Sequence, residues 1–296
     1  MAPNVKSKLA KVKTSKKVEK VGKNVLKRKT VEKHKNNTGK KNNKEQEEEE
    51  EEEVVVDFEF FNMSEGDFHT VKQFLSVAFG PTGHPINLSE LASFITEELA
   101  DHVGTTVKSD GEQSDPLAVC TCVPVRYFPE KSTSLVSFLQ SHMGDEYKIK
   151  EGTAIVLFER FMNLPAGIAG PVLSNLLADW QNAMKEDPSF KVDQVIYMTP
   201  VYDFVKSALD EEMGLQAEDP IPEESDEKEN FYYQEAEYLK DFATHSFTFK
   251  PVSPHSTTDS RRAFSEKGID ASRMLYIMSF KKFTEYVDLV NEKLID

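Results

Sequence analysis

A mixed central β-sheet flanked by helices, an α/β (α+β) fold, follows from three observations. All 20 Phe, all nine Tyr and Trp180 lie after residue 53, so one segment of about 243 residues holds the material for a core. Within that segment, apolar runs of strand length alternate with stretches of helical periodicity. Their order is roughly βααββαβαβαββα, and helices interspersed among strands in this way belong on both faces of one sheet. Residues 54–296 are therefore expected to form a single domain.

The elements are justified in order. Residues 54–61 (VVVDFEFF) alternate Asp57 and Glu59 with Val56, Phe58 and Phe60, as in a strand with one buried and one acidic face. Asp67 can cap a helix in which Phe68, Val71, Leu75 and Ala78 recur at helical spacing. After a turn rich in Gly and Pro, Asn87 or Ser89 can cap a second helix with Leu88, Leu91, Ile95 and Leu99 on its inner stripe. Strands at residues 105–108 and 117–125 are joined by the polar turn 109–116, a plausible hairpin. Ser132 opens a helix with Leu135, Phe138 and Leu139, and residues 154–161 read as a central strand.

Pro171 suits the first turn of a helix whose stripe is Val172, Leu173, Leu176, Leu177, Trp180 and Met184. A buried strand at 195–199 leads into residues 207–230, which carry ten acids and one base and read as a mobile acidic insert. A helix at 232–242, strands at 246–249 and 273–279, and a helix at 281–294 complete the chain. In the last helix Phe283, Val287, Val290 and Leu294 keep the inner spacing.

Charge divides the chain differently. Residues 1–44 hold 16 Lys/Arg against two acids, residues 45–53 add eight Glu, and residues 54–296 carry 20 bases and 41 acids, a net charge of −21. Without aromatic residues or sustained periodicity, residues 1–53 are expected to be a disordered basic arm ending in a glutamate run. Lys16 and Lys17, followed after nine residues by Lys27, Arg28 and Lys29, have the spacing of a bipartite import signal that an import receptor would read. Such clusters also touch nucleic acid weakly and without reading its sequence, since neutralised phosphates release counterions. The glutamate run, tethered close by, could fold back on the arm and mute that binding. No apolar stretch reaches the roughly 20 residues of a membrane helix, so no membrane contact is expected, and the N-terminus has charge but no apolar h-region of a secretory signal. A nuclear, reducing location fits the two cysteines.

Residues 158–165, Phe158-Glu159-Arg160-Phe161-Met162-Asn163-Leu164-Pro165, resemble the signature strand and turn of the BCCIP family of eukaryotic nuclear proteins. Residues 56–61, 86–92, 104–111 with 114–116, and 231–249 are similar to further family segments in the same order. The chain departs from the usual paired prolines, having Pro165-Ala166 and then Gly170-Pro171. The resemblance implies a fold similar to that of acetyltransferases without their catalytic equipment. It also implies binding work: escort of a basic large-subunit ribosomal protein, assistance in nuclear export of a lipid kinase in fungi, and contact with recombination and cell-cycle regulators in animals.

Enzyme chemistry finds little support in the residues. Acetyl-CoA would need a Gly-rich turn whose N–H groups hold its pyrophosphate at a helix N-terminus; residues 164–170 come nearest and lack the basic residue. Cys120 and Cys122 point to one strand face as buried thiols, with too few ligands for a metal. The seven His accompany no nucleophile motif. No enzyme activity, cofactor or metal is therefore expected. The candidate partner-binding residues are instead Asp57, Glu59, Asp110, Glu112, Asp115, Asp210, Glu211 and Glu212, together with Glu159 and Arg160. These last two, sequential on a strand, face opposite ways, one toward solvent or a partner and the other anchoring the adjoining loop.

Overall fold

The computed structural model describes residues 24–27, 53–80, 86–127, 129–204, 230–251 and 269–294. Lys16, Lys17, Arg28, Lys29, Asp210, Glu211 and Glu212 lie outside these residues, as does the acidic insert up to residue 229. The chain divides into a unit ending at Glu59 and a second that begins at Phe60.

In the first unit, β1 (Asn24–Lys27) pairs antiparallel with β2 (Glu53–Val56), and Lys27 stands opposite Glu53. The strand expected over residues 54–61 is accordingly split: β2 has its own partner, and after Asp57 and Phe58 the chain resumes as β3 (Glu59–Asn62).

The large sheet has the order β3-β4-β5-β6-β7-β10-β9, with β8 (Asn230–Phe231) against β7. β4 (Thr105–Lys108) and β5 (Ala118–Pro124) form the expected antiparallel hairpin. β5 pairs antiparallel with β6 (Thr153–Arg160). β6 and β7 (Gln194–Phe204) run parallel, joined through the helix α4 (Ala169–Glu186), since a parallel pair needs a long crossover. β10 (Ile269–Ser279) is antiparallel to both β7 and β9 (His245–Phe249).

Side-chain alternation assigns the faces. Val119, Thr121 and Leu157 line one small internal gap with Val71, Phe74 and Leu75 of α1 (Phe68–Phe79) and with Ile95. Ile95 sits in the π-helical turn (Phe94–Leu99) that continues α2 (Leu88–Ser93), whose N-terminus Asn87 caps through the Glu90 N–H. On the opposite face, Tyr197 packs against Phe283 and Tyr286 of the last helix, and Trp180 of α4 packs against Phe280 and Phe283.

The periodic stripes are buried as expected, except that Phe68 and Met184 are half-buried. Differences cluster at element ends. α3 (Pro129–Met143) starts before Ser132, and α4 begins two residues ahead of Pro171, after a 3-10 turn (Ala166–Ile168). The expected helix at 232–242 is a 3-10 turn (Gln234–Tyr238) followed by one short helix, α5 (Leu239–Phe242). The final helix, α6 (Phe280–Lys293), directly follows β10 and is capped by Ser279.

Candidate partner-binding surface

The last β6–β7 pair is Leu157 with Met198, yet β6 continues to Arg160 and β7 to Phe204. Past that pair the two parallel strands no longer bond each other, and other parts of the chain fill in on both faces. On the α1 side, Glu159 receives two hydrogen bonds from Arg273 of β10, Nη1 to Oε1 at 2.5 Å and Nη2 to Oε2 at 3.2 Å. On the α4 side, Arg160 Nη2 donates to Glu235 Oε2 at 2.7 Å, and its guanidinium lies 4.6 Å from the centre of the Tyr233 ring. The Tyr233 hydroxyl donates to the Arg160 carbonyl at 2.7 Å and accepts the Arg160 N–H at 3.3 Å, satisfying backbone groups that β7 leaves free.

Glu159 and Arg160 are only 3 % and 6 % exposed. The expectation that one of them faces solvent or a partner is therefore corrected. They do face opposite ways, but each charge is buried against its own counter-ion, the arrangement that makes a buried charge tolerable. Burial pushes the Glu159 and Glu235 carboxyls above the usual carboxylate range, against the pull of Arg273 and Arg160 respectively. The two pairs differ in quality. Glu159 uses both oxygens, whereas Arg160 Nε and Glu235 Oε1 lack a hydrogen-bond partner.

Held from both faces, the end of β6 presents Phe161 and Met162 at the surface, 43 % and 58 % exposed. The Phe161 N–H donates to the Leu117 carbonyl at 3.1 Å, and its ring tilts against Phe74 of α1 at 5.4 Å between centres. The Leu164 N–H donates back to the Phe161 carbonyl and closes the turn.

Leu117 ends the acidic turn of the β4–β5 hairpin. Gly111 takes a left-handed φ of 83° there, and its carbonyl accepts both the N–H and the hydroxyl of Ser114. Asp110, Glu112 and Asp115 are all exposed on this turn. The base beside them, Lys108, is buried, and its Nζ donates to Asp67 Oδ1 and to the Glu112 carbonyl, both at 2.7 Å. Asp67, expected to cap α1, makes no capping hydrogen bond to that helix; it pairs with Lys108 and accepts the N–H and hydroxyl of Ser64. Of the two acids expected on the first strand, Asp57 is exposed and Glu59 is half-buried at the start of β3.

The Gly-rich segment that leads into the first turn of α4 is packed against α6. A Cβ on Gly170 would come within 2.7 Å of Asn291 Oδ1, and one on Gly167 within 3.2 Å of the Leu294 carbonyl. Both glycines thus lie close against residues at the C-terminal end of α6. Cys120 and Cys122 are buried free thiols, and burial raises both well above the ordinary thiol range.

Sequence reasoning did not find Phe161 and Met162 as a surface pair, nor Arg273, Glu235, Asp67 and Lys108 as ion-pair members. The signal for the first lay in Asn163-Leu164-Pro165, which ends the strand and leaves two large apolar residues at its exit. No local signal identifies the others, because their partners are 41, 75 and 114 residues away.

Comparison with known proteins places this arrangement. Residues 53–241 match the profile of the BCCIP family, which spans the acidic turn, β6 and the Tyr233–Glu235 contact. The chain belongs to the BCCIP family. Its relatives include protein BCP1 of Debaryomyces hansenii, 26 % identical over 269 residues that cover 80 % of this chain and 86 % of that protein. Protein bcp1 of Schizosaccharomyces pombe is 25 % identical, with 80 % and 89 % covered. The crystal structure of BCP1 from Saccharomyces cerevisiae has the same fold, with a TM-score of 0.50 over 85 % of this chain and 95 % of that one, at 21 % identity. The BCCIP-family match stops before β9, so Arg273, which pairs with Glu159, lies beyond it.

Proposed function

We propose that this BCCIP-family chain is a nuclear escort or adaptor protein whose acidic body binds a basic protein, a large-subunit ribosomal protein in the first instance, in support of ribosome biogenesis and nuclear export. The basic arm serves as the address read by an import receptor. The observation that carries this reading is the distribution of charge: residues 54–296 carry a net −21, and at the β4–β5 turn three acids are exposed while the nearby Lys108 is buried and committed. Ribosomal proteins present Lys/Arg surfaces made for RNA, and an acidic surface masks them before assembly. Exposed ion pairs contribute only about 0.2 to 1 kcal/mol each and are screened by salt, so charge speeds encounter while shape supplies selectivity.

An acetyl-CoA enzyme is the competing reading, and the packing of Gly167 and Gly170 under α6 counts against it. The test is a pull-down from large-subunit ribosomal proteins, run alongside a thermal-shift measurement with acetyl-CoA. Retention of a basic protein in a stoichiometric complex, with no shift, supports escort work. A clear shift with the coenzyme and no retained protein reverses the assignment.

A further inference from the structure

Among the described residues, the exposed large apolar side chains are Val77, Phe161 and Met162. Scattered single apolar residues are ordinary on a protein surface, but Phe161 and Met162 are adjacent in the chain and both exposed. Phe161 rests on Phe74 of α1, so the tip is seated against that helix. The patch is also rigid. The backbone that presents Phe161 is fixed by the Leu117 hydrogen bond, by Tyr233 and by two buried ion pairs, so little ordering entropy remains to be lost when a partner covers it.

Next to the patch stands the turn that bears Asp110, Glu112 and Asp115, joined to it through Leu117. We propose that the Phe161–Met162 tip and this acidic turn form one docking site for a basic protein segment, which sets an apolar side chain on the tip while its Lys and Arg residues face the acids. This inference rests on the escort reading and locates its contact. Charge decides among occupants. Nucleic acid would meet three acids with no free base at the turn, and a second copy would bring an equal set of acids against the first. A basic segment gains on both counts, and the unbranched thioether of Met162 adapts to side chains of differing shape.

The full-length chain, labelled for anisotropy, is titrated with individually purified large-subunit ribosomal proteins, and with poly-L-lysine as a charge-only probe. Three proteins are compared: wild type, F161A/M162A and D110N/E112Q/D115N. The F161A/M162A variant gives up the contact with Phe74, so a melting curve checks that it stays folded at the temperature of the titration. The expected result is about ten- to thirty-fold weaker binding of the ribosomal protein by F161A/M162A, as for the loss of interface anchors, with unchanged binding of poly-L-lysine. The acid variant should weaken both and flatten the salt dependence. Equal binding by wild type and F161A/M162A overturns this site while leaving the escort reading intact. Failure of every ribosomal protein to bind wild type overturns both. A wild-type dimer in sedimentation that F161A/M162A abolishes would give the patch to a second copy and also overturn the proposal.

Discussion

Arg273 on β10 holds Glu159 on β6 across the strand that separates them. Arg273 stands opposite Pro200 of β7, and its guanidinium reaches past β7 to both carboxylate oxygens. Breaking a buried pair from one side leaves an uncompensated charge and costs about 3 to 5 kcal/mol, whereas replacing both partners by apolar residues is often neutral. The expected outcome in urea unfolding is therefore a large loss for R273M and recovery of most of that loss in E159L/R273M. Equal stability of the single and double variants would remove the ion pair from the account.

The same burial sets a pH dependence. Glu159 and Glu235 have folded-state carboxyls raised above the ordinary value of 4.5, chiefly by desolvation. A raised carboxyl means that the folded state holds a proton which the unfolded state has released. Their contribution to stability is thus full below about pH 4.5 and is lost as the pH rises through the folded-state values. In paired denaturation curves, wild type should lose stability relative to E159Q and to E235Q as the pH rises from this range toward neutrality. A difference that grows in favour of wild type would reverse the sign.

At the start of α4, the packing of Gly170 against Asn291 yields a separate expectation. A G170A substitution drives a methyl group into the Asn291 amide, which also donates to Ser174 Oγ and to the Val287 carbonyl, and should cost about 1 to 3 kcal/mol. In an N291A background the same substitution should cost clearly less, a coupling that a double-mutant cycle measures. Equal costs in the two backgrounds would mean that this contact does not require the glycine.

Much of this fold was legible because periodicity reports burial directly. The stripe of Leu88, Leu91, Ile95 and Leu99, and that of Phe283, Val287, Val290 and Leu294, are buried as their spacing implies. Element ends were less legible. Asp57 and Phe58 interrupt what reads as one continuous strand, because β2 and β3 find different partners, a tertiary choice that alternation does not encode. The candidate surface was half legible. Asp110, Glu112 and Asp115 lie in a turn that the sequence marks plainly. Glu159 and Arg160 read as facing opposite ways, one of them toward solvent or a partner, because the counter-ions that permit the burial of both, Arg273 and Glu235, sit far along the chain. Phe161 reads as the last residue of a buried strand, whereas the strand ends one residue earlier.

Whether the acidic body receives a basic protein is tested most directly by sedimentation velocity. The full-length chain is mixed with each purified large-subunit ribosomal protein in turn, at low salt and then at physiological salt. A one-to-one complex with at least one of them is expected, persisting at physiological salt with reduced affinity because apolar contact remains when surface charge is screened. Absence of any complex at low salt, or assemblies of indefinite stoichiometry that vanish at physiological salt, would contradict it.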